Sequence, residues 1–208
     1  MPVEAFRSIR DRVREVTRDY AGARWSDDEL DTYINYGQSV FCRRTRTLEK
    51  SLDIYYQNAP LFGLQNDYID AIRFELAGSG RCLCFVSWTI LAEQYGPQFL
   101  SHKGSDLYYL YFDYDNWRQF RFYPNPDVPE GAFLGTLHYY RLPMKDVLEV
   151  DDVDALVQYV LFSCYIKESD KGMKAKAARY YDAFMKRIPE NKKPVSEVLR
   201  RRSVGRVF

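Results

Sequence analysis

Apolar residues recur along the first 50 positions at helical spacing. Phe6, Ile9, Val13, Val16 and Tyr20 form a 3-4-3-4 stripe through residues 4 to 20, among Arg, Asp and Glu, and predict a first helix. Gly22 ends it. The run Trp25-Ser26-Asp27-Asp28-Glu29-Leu30 writes the start of a second helix. Ser26 is placed to cap the Glu29 amide while the Glu29 carboxylate reaches back, with Trp25 and Leu30 as a hydrophobic staple. Asp27, Asp28 and Glu29 suit the positive end of the helix dipole, a structural role for three acids. Leu30, Tyr33, Ile34, Gly37, Phe41 and Leu48 continue one apolar face, and the helix is predicted to run to about Lys50.

Pro60, Gly63 and Asn66 change the regime. From Tyr68 to Arg141 aromatic and β-branched runs alternate with turn residues. Strands are predicted at Tyr68 to Leu76, Arg81 to Ser87, Leu107 to Asp113, Gln119 to Tyr123 and Phe133 to Tyr140, with Gly78-Ser79-Gly80 as a hairpin turn. A short helix fits Ile90 to Tyr95. Links this short predict antiparallel pairing. After Pro143 the helical period returns in Leu156, Val157, Val160, Leu161 and Cys164. It continues in Met173, Ala177, Tyr180, Tyr181, Phe184 and Ile188, with Asp170 as the cap between the two stripes. The expected fold class is α+β, mostly a bundle of about four helices formed by residues 1–60 and 144–190. Residues 61–143 form an antiparallel β insertion, and 191–208 a basic C-terminal arm.

A chain of 208 residues can bury a real core, and the 18 tyrosines suit large amphipathic contact surfaces. The formal charge of +1 conceals an asymmetry: residues 191 to 208 carry +5, so residues 1 to 190 carry −4. No apolar run reaches the roughly 18 residues of a membrane span, and Met1-Pro2-Val3-Glu4 lacks a signal-peptide pattern, so a chain made in a cytoplasm without membrane contact is expected. Cys42, Cys82, Cys84 and Cys164 have no ligand-like spacing. Cys82 and Cys84, on one face of a strand, lie too far apart for a disulfide, so free buried thiols are expected.

The order of elements, the run Trp25 to Leu30 continuing to Tyr33-Ile34-Asn35, the strand ending Phe122-Tyr123-Pro124-Asn125-Pro126, the strand Leu137-His138-Tyr139-Tyr140 closing at Pro143, and the helix pair from about Val153 to Ile188 resemble the head-to-tail connector (adaptor) proteins of tailed bacteriophages. The resemblance covers residues 25 to 188. It implies a helical bundle with a β insertion, ring assembly commonly of twelve copies beneath the portal, and a place in the virion neck. The implied partners are the portal protein, neighbouring copies, a downstream tail or nozzle protein, and DNA passing through the channel without specific binding.

Catalytic readings are weak. His138 lies in a predicted strand and His102 in a loop with Lys103 and Gly104. There is no His-x-x-x-His, no Cys-x-x-Cys and no phosphate-binding glycine loop, so no catalytic residue, metal ligand or cofactor is assigned. Asp151, Asp152 and Asp154 precede a helical stripe, where caps are expected; Asp113, Asp115 and Asn116 lack the glycine and closing Glu of a calcium loop. The arm is different. Val195, Val198 and Leu199 fall at i, i+3 and i+4 beside Arg200, Arg201 and Arg202, and with Val204, Arg206 and Phe208 they are the expected partner-binding residues. The alternative is a nucleic-acid-binding arm whose arginines neutralise phosphates. A hydrolase built on scattered carboxylates is a third class.

Overall fold

The structure is a computed structural model and describes residues 4–112, 118–168 and 170–189. The described chain divides into two compact units. One is built from residues up to Leu48 and from Leu142 onward, the other from Glu49–Arg141.

In the helical unit a short 3-10 turn, Glu4–Phe6, leads into α1 (Arg7–Thr17), which stops on a left-handed Arg18. The expected stripe therefore ends early: Phe6, Ile9 and Val13 are buried, whereas Val16 and Tyr20 are exposed. Ser26 caps α2 (Asp27–Thr45) as expected, its hydroxyl accepting from the Glu29 amide. Trp25 and Leu30 are both buried. The reciprocal half of the capping box is absent, because the Glu29 carboxylate instead accepts from Tyr33 Oη at 2.7 Å and Lys167 Nζ at 2.6 Å. Nor does α2 reach Lys50: Arg46 turns left-handed, and its amide bonds the Cys42 carbonyl. Leu48 lies outside the helix.

Gly37 sits on the packed face of α2. A Cβ there would stand 2.9 Å from the Tyr159 ring, so the missing side chain admits that ring. Helices α4 (Val153–Ile166) and α5 (Lys171–Arg187) complete the unit, capped by Asp152 and Asp170. Their aromatic seam includes Tyr159 edge-on to Phe184 at 5.1 Å and Tyr165 stacked on Tyr180 at 5.6 Å.

The β unit opens with β1 (Glu49–Tyr55), where the sequence reading continues the helical part. It then runs β2 (Phe62–Gly63), β3 (Tyr68–Leu76), β4 (Cys84–Val86), α3 (Trp88–Tyr95), β5 (Lys103–Gly104), β6 (Tyr109–Phe112), β7 (Gln119–Tyr123), β8 (Asn125–Pro126) and β9 (Phe133–Arg141). Sheet one has the order β1-β9-β3 and is antiparallel, sheet two is β2-β7-β6-β4, and β5 pairs with β8. The expectation of a purely antiparallel unit is corrected: β4 pairs with β6, and β5 with β8, in parallel. Helix α3 supplies the crossover that a parallel β4–β6 pair needs.

Five α-helices are described: α1, α2, α4 and α5 in the helical unit, and α3 in the β unit near the short helix expected at Ile90 to Tyr95. The class is α+β, not mostly helical. Phe74, Phe120, Phe122, Leu110, Leu137 and Tyr139 form the core of the β unit. Gly135 holds the centre of sheet one with φ +149°, and a Cβ there would lie 2.1 Å from the Glu75 carbonyl oxygen. The thiols divide: Cys42 and Cys164 are buried, Cys82 and Cys84 exposed, which overturns burial for the last two.

Candidate functional site

Polar chemistry in the helical unit begins with two arginines four apart on α1, Arg10 and Arg14, matching two aspartates four apart on α2, Asp27 and Asp31. Arg10 Nη1 donates to both oxygens of Asp31, at 2.7 and 2.9 Å, in a buried pair. Arg14 pairs with Asp27 and, at 3.6 Å, with Asp19. Burial raises the pKa of Asp19, but the amides of Trp25, Arg24 and Ala23, with Arg14, outweigh it and hold the carboxyl below its ordinary range. Asp27 and Asp31 of α2 are therefore structural. The matched i, i+4 spacing on the two helices is a sequence signal that the dipole reading passed over.

Asp152 and Asp154 are also structural. Asp152 caps α4, and Arg187 donates to both carboxylates, with Arg12 bonding Asp154 at 2.7 Å.

Residues Pro143 to Val150 form a strap tied to α2. Gln38, fully buried, donates to the Val147 carbonyl at 2.9 Å and accepts from the amides of Glu149 and Val150 at 2.9 and 3.3 Å. Asn35 and Asp146 exchange two hydrogen bonds of 2.9 Å. Strap and helix enclose an open groove of about 520 Å³, lined by Asp28, Asp31, Thr32, Asn35, Tyr36, Ser39, Pro143, Lys145 and Asp146. Tyr36 and Met144 are largely exposed beside it.

On the outer face of sheet one, strand register aligns Ser51, His138 and Arg73 across three strands, and Glu75, opposite Thr136 one pair along, turns its carboxylate toward His138. Ser51 Oγ lies 3.0 Å from His138 Nδ1, and Glu75 Oε1 lies 3.5 Å from Nε2. The second distance is too long for a good hydrogen bond. Arg73 engages the Glu75 carboxylate at 2.5 Å and keeps its pKa low. Ser51, His138 and Glu75 resemble a nucleophile, base and acid, yet the acid is committed to Arg73, and the groove described above includes none of the three. Their chemistry is cross-strand pairing. His102, the other histidine, meets Tyr123 Oη through Nδ1 at 3.0 Å.

Buried Cys164 is an inert thiol, pushed up to about 12 by burial and by the charges of Glu29 and Asp19. Among the described residues no group of three His, Cys, Asp or Glu could hold a metal ion, and no helix is long and apolar enough to cross a membrane.

What the described surface does offer is contact area. In the β unit Tyr55 and Phe133 pair at 5.3 Å on the exposed face, and Tyr108 and Leu100 are also exposed. The expected partner-binding residues Val195, Val198, Leu199, Arg200, Arg201, Arg202, Val204, Arg206 and Phe208 lie outside the described residues, as do Asp113, Asp115 and Asn116.

By fold the molecule is an α+β protein, a helical unit interrupted in sequence by a β unit. Residues 5–206 match the SU10 adaptor protein family, and the chain belongs to that family. It is thus a phage adaptor-type protein. Among curated proteins nothing matches it.

Proposed function

We propose that the chain is a structural subunit of a head-to-tail connector ring that docks beneath the phage portal and joins capsid to tail. Family membership across residues 5–206 carries this reading. In it, copies pack side by side through heterologous contacts that close a ring, commonly of twelve. Exposed tyrosines and Phe133 supply the large, stiff side chains that dominate protein interfaces. The arm beyond the helical unit, from Val195 on, reaches the portal through its apolar residues and pairs acidic groups there with its arginines. A downstream tail or nozzle protein meets the other side of the ring. The net charge of −4 over residues 1 to 190 suits a channel through which DNA passes without adhering.

Negative-stain imaging and sedimentation of the chain mixed with portal test the proposal. Rings or docked density on the portal are expected. A chain that stays monomeric beside portal refutes it, and tight, steeply salt-dependent duplex binding through Arg200, Arg201 and Arg202 replaces it with a nucleic-acid role.

A further inference from the structure

Sheet one ends in an open edge. Strand β1 pairs with β9 over all seven of its residues, and among the described residues no strand lies on its other side. An edge of this length offers a row of unpaired amides and carbonyls and is a template for an added strand. Its exposed face carries, in order, Glu49, Ser51, Asp53 and Tyr55. Two acids thus stand four residues apart, and an aromatic residue closes the row, its ring tilted against Phe133. Ser51 and Asp53 are oriented by the neighbouring strand, through His138 at 3.0 Å and Thr136 Oγ1 at 2.7 Å. The row is a fixed pattern, not a set of loose side chains.

The sequence from Arg202 to Phe208, Arg-Ser-Val-Gly-Arg-Val-Phe, has the complementary pattern at the strand period of two. Arg202, Val204, Arg206 and Phe208 fall on one face, leaving Ser203, Gly205 and Val207 on the other. Laid parallel to β1, it sets Arg202 beside Glu49, Val204 beside Ser51, Arg206 beside Asp53, and Phe208 beside the Tyr55–Phe133 pair. Both charge pairs and the aromatic contact form in one register. Laid antiparallel end to end, it sets Phe208 beside Glu49, Arg206 beside Ser51, Val204 beside Asp53, and Arg202 beside Tyr55, and neither acid gains a cation; slid by two residues, the antiparallel strand sets Arg206 beside Glu49 and Arg202 beside Asp53 but carries Phe208 past the start of β1, and the aromatic contact is lost.

We propose that residues 202–208 of one copy add in parallel to the β1 edge of a neighbouring copy, so that the C-terminal segment is a clasp between adjacent subunits. This rests on the ring reading, in which each contact joins one patch to a different patch on the next copy. It also divides the arm: Val195 to Arg201 remain for the portal, and Val204, Arg206 and Phe208 are taken from the portal contact.

The test uses full-length chains in which the exposed Cys82 and Cys84 are changed to Ser. One population carries Ser51→Cys and the other Val204→Cys; they are mixed with portal, oxidised and run on a non-reducing gel. A disulfide between two copies is expected, since neighbouring strands place such residues within disulfide reach. The pairs Ser51→Cys with Arg206→Cys and Glu49→Cys with Arg206→Cys, which face in the end-to-end and the slid antiparallel registers, are expected to link far less. Glu49→Arg with Asp53→Arg should cut the cross-copy product about tenfold, from two lost charge pairs turned repulsive, and Arg202→Glu with Arg206→Glu in the other population should restore it.

The clasp is overturned by absence of the cross-copy product, by preference for either antiparallel pair, or by linkage only within a chain carrying both Ser51→Cys and Val204→Cys. Electron images of the same mixture separate the two ideas. Rings without the disulfide sink the clasp alone, and the disulfide without rings sinks the ring reading alone.

Discussion

Replacing Gln38 probes how the strap is held on α2. Its amide is fully buried and makes three hydrogen bonds to the backbone of residues 147 to 150. Their fates differ on deletion. Val147 is 41% exposed, so water can reach its region, whereas Val150 is 4% exposed and its amide would be left without a partner. A stranded buried amide costs about 1–3 kcal/mol, and the side-chain volume removed adds about 1 kcal/mol. Gln38→Ala should therefore lose about 2–4 kcal/mol, lowering Tm by about 2–4 °C for each kcal/mol in a chain of this size. Gln38→Leu refills the space and should lose about 1–3 kcal/mol.

Gln38→Glu is the diagnostic variant. Its carboxylate keeps the two amides but turns an acceptor toward the Val147 carbonyl, so the folded state favours the protonated acid and raises its pKa above the unfolded value. The folded state then binds the extra proton, and the deficit should be small at low pH and grow as pH rises through the ordinary carboxylate range. Urea titrations followed by circular dichroism at several pH values measure all three variants. A Gln38→Ala loss below about 0.5 kcal/mol, the level of an ordinary surface change, would refute the reasoning.

Other sites give equally direct expectations. Gly135→Ala forces a Cβ to within 2.1 Å of the Glu75 carbonyl oxygen and should cost more than about 4 kcal/mol, seen as loss of near-ultraviolet signal or of folded protein. Trp25→Ala removes a side chain 3% exposed and edge-on to Tyr165 at 6.2 Å. It should cost about 3–5 kcal/mol in thermal unfolding against about 1 kcal/mol for Ser26→Ala, and equal losses would place Trp25 outside the core. The Glu29 pKa is held low first by the Lys167 hydrogen bond and then by Tyr33, against burial, so its contribution is present above the ordinary Glu range and lost as pH falls through the depressed value. Lys167→Ala should raise the Glu29 pKa, read by carboxyl NMR, and weaken the unit by only about 0.5 kcal/mol because the lysine is largely exposed.

Local signals were the legible ones. Ser26, Asp152 and Asp170 cap helices because a cap depends on a few successive residues, and the start of α2 was readable for that reason. Its end was not: nothing in Thr45-Arg46-Thr47 marks the left-handed turn, and Leu48 continues the stripe although the chain has already left the helix. Gln38 was invisible because a polar residue beside an apolar stripe reads as solvent-facing, and its partners lie more than a hundred residues away. Parallel pairing of β4 with β6 is likewise non-local, decided by the crossover through α3. The segment on which the partner-binding reading rests, from Val195 to Phe208, lies outside the described residues. The surface that is described offers the β1 edge and the Tyr55–Phe133 pair, to which the sequence reading gave no role.

Strands β1 and β9 pair along their whole length, with Glu49 opposite Tyr140, so the chain enters the β unit and leaves it through two residues about 5 Å apart. The 93 residues between Glu49 and Arg141 are thus a cassette on a two-strand stem. Exchanging the cassette asks only that a replacement bring its own ends equally close, and the loop-closure cost to the helices is nearly independent of its length. Related chains can therefore vary the size and surface of this part while the flanking helices keep their packing, and a graft that preserves the Glu49–Tyr140 pair is a practical route to giving the helical unit a new binding head.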